Sequence, residues 1–268
     1  MTHGSSNVAS AADKVESHPV LQNGARAGYA LSGVLHLMIA WIALQIAWIA
    51  SGKSADQSGA LQTLAGSSLG RLALWVAVLG FLALGLWQLA SAVAVRTRGK
   101  SSQWADKVKG ISKAVVYLAL AWTSFSFAKG QPSSSKAQSA DFTATLLQHP
   151  GGRLLVAVIG LVIIGIGIYH VVKGWTKKFL TDLSKNPGLL ATRAGVIGYI
   201  AKGIALALVG VLFVTAAAQN SASKATGLDG ALRSLRQQAF GPWLLTAVGL
   251  GIAAYGVYSF ARARHARV

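Results

Sequence analysis

Six long apolar runs, separated by polar stretches, dominate the pattern of residues along this chain. Each run is about 18–25 residues long, the length that a helix needs to cross the roughly 30 Å hydrocarbon core of a bilayer. The alternating pattern of a membrane β-barrel does not occur, and backbone groups in lipid must be hydrogen-bonded within the chain. The pattern therefore predicts six transmembrane helices. Their approximate cores are Ala27–Ala50, Leu72–Val95, Ile111–Ala128, Leu154–Val172, Ala194–Ala218 and Trp243–Phe260.

Composition supports a membrane protein and narrows its chemistry. Hydrophobic residues make up 53% of the chain and charged residues 12%, whereas soluble proteins carry about 25% charged residues. The absence of cysteine excludes disulfide bonds, thiolate catalysis and cysteine metal sites. Residues 1–25 are polar and lack the short apolar core and cleavage site of a signal peptide. We therefore predict a flexible cytoplasmic tail there, followed by a first helix that is retained.

The distribution of charge predicts the orientation of the chain. The formal net charge is +18, and 17 of the 25 Lys and Arg residues fall on the side that holds both termini. Cytoplasmic loops carry such an excess, so both termini are predicted in the cytoplasm. The basic loops predict contact with anionic lipid of the inner leaflet. No motif of a nucleic-acid-binding module occurs, so nucleic acid is not expected as a partner.

A short phrase recurs in the second helix of three units: GLWQ at 85–88, GIYH at 167–170 and GVYS at 256–259. A shift of 82 residues aligns 70–88 with 152–170. A shift of 171 residues aligns 59–70 with 230–241 without a gap. Self-similarity at a fixed interval indicates an internal repeat.

The first helix of each unit repeats as well. GYALSGVLHL at 28–37 resembles GYIAKGIALA at 198–207. A looser copy lies at 110–119, where Ala114 replaces the second glycine of the opening. A helical hairpin begins and ends on one side of the membrane, so the copies keep one orientation. We therefore predict an all-α membrane protein of six transmembrane helices, built as three parallel two-helix repeats with pseudo-threefold symmetry.

The repeats define the predicted organisation of the chain. It comprises the tail at 1–25, repeat 1 at 26–98, repeat 2 at 99–178, repeat 3 at 179–262 and a basic cytoplasmic tail at 263–268. Each outer loop contains a short amphipathic segment, predicted to lie along the membrane surface, with a re-entrant position as the alternative. These segments are Gly59–Ala65, Phe142–Gln148 and Gly230–Ala239.

The paired helices, the GYxxxG openings and the GLDGALRSL loop at 227–235 resemble a bacterial membrane family, domain of unknown function 1206. The resemblance covers Ala25–Arg262, although the second repeat departs from the pattern by losing both glycines of its opening. It implies a six-helix protein of three repeats. It implies no activity, substrate or catalytic residue.

The acidic residues argue against an enzyme. All seven lie outside the predicted helices, so no carboxylate pair is available at membrane depth for acid–base catalysis or a proton relay. They are Asp13, Glu16, Asp56, Asp106, Asp141, Asp182 and Asp229. No metalloprotease motif, phosphate-binding loop or dinucleotide fingerprint occurs. We assign no catalytic, metal-binding or cofactor-binding residues.

Seven polar residues within the apolar runs are the candidates for function. In the repeat alignment, His36 stands with Tyr117, His170 stands with Gln88 and Ser259, and Lys113 and Lys202 stand at one position. The histidines fit hydrogen bonding between helices, proton or ligand handling by His36, or a haem site, which their different depths disfavour. The lysines fit snorkelling to headgroups or a cationic vestibule for an anion or lipid phosphate. The candidates are His36, Gln88, Lys113, Tyr117, His170, Lys202 and Ser259.

Three functions remain open from the sequence. The first is a nonenzymatic structural or accessory role, in which the protein packs with membrane lipid or a membrane-protein partner and has a filled centre. The second is a small channel or carrier with a wet pathway along the pseudo-threefold axis, lined by the candidate residues. The third is a membrane enzyme or haem carrier.

Overall fold

The computed structural model of the protein describes residues 19–49, 52–94, 100–131 and 134–266. Six of its helices are long and apolar enough to cross a membrane, and the described residues contain no β-strand, which confirms the predicted all-α class. The helices are α1 (Pro19–Ile49), α2 (Gln57–Ala65), α3 (Ser68–Ala94), α4 (Lys100–Ala128), α5 (Ser135–Leu147), α6 (Gly152–Trp175), α7 (Leu189–Ala218), α8 (Gly227–Arg236) and α9 (Gly241–His265).

Both predicted tails need correction. Helix α1 begins at Pro19, so residues 19–25 are helical, and Ala25 is fully buried. At the other end α9 continues to His265, whose carbonyl oxygen accepts a hydrogen bond from the Ser184 backbone nitrogen at 2.7 Å. The apolar pattern could not reveal these extensions, because packing stabilises them. The remaining tail residues, 1–18 and 267–268, lie outside the described part of the chain.

The long helices follow one another in space as α4, α3, α1, α9, α7 and α6. The pairs α3/α4, α6/α7 and α9/α1 join successive repeats, and α1/α3 and α7/α9 are the hairpins of repeats 1 and 3. Within the described residues, α4 and α6 have no extended contact, although they form the hairpin of repeat 2. The six helices therefore form a ring that is open on one side.

Small residues hold the three junctions between repeats in the same way. A Cβ added to Gly167 would lie 2.7 Å from the Gly203 carbonyl oxygen, and one added to Gly256 would lie 3.0 Å from that of Gly33. At the third junction a Cβ on Gly85 would lie 3.5 Å from the Ala114 oxygen. Helices in lipid associate through such close approach of small residues. The equivalent contacts support the pseudo-threefold arrangement.

The hairpins explain where the ring opens. In repeat 1 a Cβ added to Gly28 would lie 2.7 Å from the Gly80 carbonyl oxygen, so α1 and α3 meet closely. Glycines also mark the α7/α9 contact of repeat 3, at the corresponding positions. When Ala114 is aligned with Gly33 and Gly203, Lys109 and Val162 occupy these glycine positions in repeat 2. Both residues are exposed. Because these side chains prevent the close approach that glycine permits, α4 and α6 stay apart.

The bundle has two unlike ends. We call the end with Pro19 and Ala266 the basal end, and the end with α2, α5 and α8 the distal end. At the distal end, Leu61 of α2 and Leu232 of α8 are buried in the main apolar core. These short helices therefore cover the distal end of the bundle centre. Leu245 of α9 is fully buried in the same core. The distal half of the centre is therefore filled with apolar side chains.

Two aspartates fasten the distal loops. The Asp229 carboxylate accepts a hydrogen bond from the Ala55 backbone nitrogen at 2.8 Å and binds Arg233 at 3.0 Å, which ties repeat 1 to repeat 3. Asp56 accepts hydrogen bonds from Ser58 and from the Gly59 backbone nitrogen at the start of α2. Carboxylates suit a helix N-terminus because free N–H groups point towards them.

The close approach of α6 and α7 can be tested with two glycines of one helix. We expect Gly167→Ala to lower the free energy of unfolding by about 1–3 kcal/mol, because its Cβ would meet the backbone of α7. Gly165 is exposed with nothing near its Cβ position, so Gly165→Ala should be neutral or slightly stabilising. Thermal unfolding in detergent measures both, and equal melting temperatures would contradict the proposed packing.

Candidate functional site

Five tyrosines collect in the interior between the middle of the bundle and its basal end. Tyr29 and Tyr117 form one group, with ring centroids 6.4 Å apart. Tyr199, Tyr255 and Tyr258 form the other, with centroids 5.3–6.1 Å apart. We call the two groups together the tyrosine cluster. The basal half of the centre is thus aromatic and carries hydroxyl groups, unlike the apolar distal half.

In two places, a cation at the end of one repeat lies over the ring of a tyrosine near the start of the next repeat. The Arg262 guanidinium lies 4.2 Å from the Tyr29 ring centroid, and Lys173 Nζ lies 5.5 Å from that of Tyr199. The two cations occupy equivalent repeat positions, as do the two tyrosines. The junction between repeats 1 and 2 has Ser91 in the first position and lacks the tyrosine. Among the described residues, cation–π contact therefore supports two of the three junctions.

A turn between α6 and α7 holds the carboxylate nearest to these cations. Phe179 is fully buried in this 3₁₀ turn and stacks on Tyr199, with centroids 5.1 Å apart. Asp182, at the end of the turn, binds Lys173 Nζ at 2.6 Å. Burial raises the pKa of Asp182, but Lys173, Arg262 and Lys113 outweigh burial and hold that pKa below its usual value. The aspartate is therefore ionised at neutral pH.

His36 and Lys202 meet near the middle of the bundle. The Nδ1 of His36 lies 2.6 Å from the Ser32 carbonyl oxygen, which can only accept, so Nδ1 carries the proton. Its Nε2 then faces Lys202 Nζ as an acceptor at 3.5 Å. Lys202 Nζ also lies 4.1 Å from the Tyr255 ring centroid. The structure therefore brings together one histidine, one lysine and one tyrosine from three helices.

The other candidates have separate surroundings. His170 stacks on Tyr199, and its Nδ1 bonds to the carbonyl oxygen of Ile166 in its own helix at 2.8 Å. Tyr117 belongs to the tyrosine cluster, one helical turn from the half-buried Lys113. Gln88 and Ser259 are buried, and Ser259 bonds to the Tyr255 carbonyl oxygen of its own helix at 2.8 Å. His36 and His170 thus contact different partners, and the described residues contain no group of three metal-ligating side chains.

Comparison with known proteins fits the three-repeat architecture. The family described as Domain of Unknown Function (DUF1206) matches residues 27–94, 108–177 and 197–266, which correspond to the three hairpins. The chain belongs to this family. It is similar to "Uncharacterized protein YxxB" of Bacillus subtilis (strain 168), with 27% identity over 253 residues that cover 92% of this chain and 91% of that protein. No solved structure matches it.

The interior of this DUF1206 protein has more positive than negative charge. Lys113, Lys202 and Arg262 are half-buried, and none has a carboxylate oxygen within 4 Å among the described residues. The nearby Asp182 is already bound to Lys173. The buried Nε of Arg262 has no hydrogen-bond acceptor in the described structure. The arrangement can therefore accept negative charge from outside the chain.

Sequence reasoning missed several members of this site. It singled out Lys113, Lys202, His36 and Tyr117, but it treated Lys173 and Arg262 only as basic residues of the loops. The repeat contained a signal for the pair, because both stand three residues after the aligned His170 and Ser259. The tyrosine of the GYxxxG opening was visible too, but only packing shows that it faces a cation from the preceding repeat.

The Lys173–Asp182 pair gives the DUF1206 protein a predictable dependence on pH. Because the pKa of Asp182 is lowered by folding, the pair stabilises the fold above the ordinary aspartate pKa of about 3.9. That stability is lost as pH falls through the lower pKa of the folded state. We expect Asp182→Asn to cost about 2 kcal/mol at pH 7, and the difference from wild type to close in acid.

Thermal unfolding in detergent across pH measures this effect. Asp141 is exposed and has no ion pair among the described residues, so Asp141→Asn is the matched control and should change little at any pH. A stability loss in Asp182→Asn that stays constant from neutral to acid pH would contradict the assigned charge interaction.

Proposed function

We propose that this protein is a nonenzymatic accessory protein of the bacterial inner membrane that holds anionic lipid at its basal end. The observation that carries the proposal is the cationic basal interior, formed by Lys113, Lys202 and Arg262 without carboxylate partners in the described structure. Charges at membrane depth are costly unless they are paired. Anionic phospholipid is the most abundant source of negative charge beside such a site.

The predicted orientation supports the same proposal. With both termini in the cytoplasm, the basal end faces the inner leaflet, where loop lysines and arginines attract anionic headgroups. Exposed basic residues of the loop between α6 and α7, such as Lys177, Lys178 and Lys185, add to this attraction. The surface charge would gather lipid at the end of the bundle where the interior cations lie.

The filled distal half argues against a channel along the pseudo-threefold axis. Leu61, Leu232 and Leu245 are fully buried there, and the short helices that carry two of them are fastened by Asp229. A water-filled path would have to displace these side chains and break their packing. The candidates His36 and Lys202 do face the interior, but they lie below this apolar layer.

The acidic residues support a nonenzymatic role. Asp56 caps α2, Asp229 joins the distal loops, and Asp182 is bound to Lys173. Each of these carboxylates makes structural contacts, and a role as general acid or base would compete with those contacts.

Purification from the native membrane tests the proposed function. The tagged protein would be isolated in mild detergent, and its lipids and proteins identified by mass spectrometry. We expect enrichment of anionic phospholipid over its share of the bulk membrane, with or without a stoichiometric membrane-protein partner. Proteoliposomes should show no ion or solute flux above that of protein-free vesicles. Specific flux without lipid enrichment or a partner would refute the accessory role and favour a carrier.

A further inference from the structure

We propose that the opening between α4 and α6 is a lateral entrance through which the phosphate of an anionic phospholipid reaches Lys113, Lys202 and Arg262. The inference rests on the proposed lipid-binding function and assigns it a site, a ligand class and a route. The shared chemistry is a phosphate ester with net negative charge. The lateral position of the entrance identifies the source as a lipid of the surrounding leaflet.

The three cations approach one region from three helices. Lys113 and Arg262 both help to lower the pKa of Asp182, and α9 contacts the turn after α6 through the rings of Tyr258 and Phe179, whose centroids are 5.0 Å apart. Lys202 lies over Tyr255, which is packed against Tyr199, and Lys173 covers the Tyr199 ring. Arg262 lies over the Tyr29 ring, 4.2 Å from its centroid, and its charge acts on tyrosines of both groups of the tyrosine cluster.

The position of these cations along their helices favours an external anion. At a rise of 1.5 Å per residue, Lys113 lies about 10 Å from the start of its apolar span at Asp106, and Lys202 about 20 Å from the start of α7 at Leu189. Cations at such depths face the bundle interior and pair with an anion, because hydrocarbon does not solvate them. The only acidic residue acting on this group in the described structure, Asp182, is bound to Lys173, so it cannot neutralise three further cations.

Burial along the repeats identifies the entrance. Leu84 of α3 and Tyr255 of α9 face the first helix of their own repeats and are 0% and 6% exposed. The equivalent residue of repeat 2 is Ile166 of α6, which is 44% exposed because α4 does not cover it. Val162, one turn earlier, is 55% exposed where the other repeats have a buried glycine.

The chemistry of the entrance fits a lipid. Val162 and Ile166 offer apolar contact to an acyl chain, while lysine and arginine bind phosphate through charge-assisted hydrogen bonds. Tyrosine hydroxyls beside the cations can donate to the remaining phosphate oxygens. The Nε–H of Arg262, which no acceptor among the described residues uses, supplies one donor.

The test uses the purified full-length protein and native mass spectrometry. Phosphatidylglycerol and phosphatidylcholine would compete in equimolar mixed micelles. We expect a preference for phosphatidylglycerol, and about a ten-fold loss of its affinity in Lys202→Met and in Lys113→Met, since each removes a charged hydrogen bond. Lys136→Met removes one exposed charge at the distal end, away from the site, and should leave the affinity unchanged.

A second variant tests the route without altering charge. Ile166→Trp fills the entrance from an exposed position, so it should weaken phosphatidylglycerol binding at an unchanged melting temperature. Inorganic phosphate, added as a competitor, should displace the lipid only weakly. If phosphate displaces it fully and Ile166→Trp has no effect, the ligand is a soluble anion and the lipid entrance is wrong.

Failure of the site and failure of the proposed function give different results. If anionic lipid is enriched in wild type and retained equally by Lys113→Met, Lys202→Met and Lys136→Met, lipid binding stands and this site is wrong. If the wild-type protein shows no preference for phosphatidylglycerol and carries no anionic lipid from its native membrane, the proposed function fails as well.

Discussion

Close approach of small residues is the interaction on which this architecture depends. Lipid tails are as apolar as leucine, so helices within a bilayer gain little by burying leucine against one another. They gain from packing density instead, and contacts such as Gly167 on Gly203 and Gly256 on Gly33 allow backbones to meet. The repeat reproduces this contact at each junction. The interior cations and tyrosines can then be held in register by helices whose spacing is already set.

The same constraint explains the asymmetry of a threefold-like fold. Repeats 1 and 3 close their hairpins through glycines, whereas repeat 2 has Lys109 and Val162 at the corresponding positions. The junctions to the neighbouring repeats remain intact, so the ring opens within one hairpin. The replacement of the glycines in repeat 2 is local in the sequence, but it affects the centre of the bundle. It leaves exposed the face of α6 that α4 would otherwise cover.

The sequence predicted features that repeat, and it missed those that depend on one junction. Six spans and three parallel hairpins followed from apolar length and aligned positions, whereas the contact between His36 and Lys202 needed the packing of the helices. The helical state of residues 19–25 did not follow from the sequence pattern, since a polar segment becomes helical there by packing against α3. The contact between Arg262 and Tyr29 joins residues 233 positions apart. It could not be predicted because it depends on which helices pack beside each other. The opening of repeat 2 was visible only as lost glycines, whose consequence needs the helix contacts.

Division of the centre into unlike halves connects the fold to its proposed role. Apolar side chains fill the distal half, and aspartates there hold its loops together. Those carboxylates therefore do not pair with the cations nearer the basal end. The basal half concentrates cations and hydroxyl groups around the carboxylate of Asp182, which is paired with Lys173. A protein that moved a solute across the membrane would need polar groups on both sides of its midplane. The basal half carries an excess of positive charge beside a lateral opening. This arrangement instead favours a ligand that enters from one leaflet and remains in that leaflet.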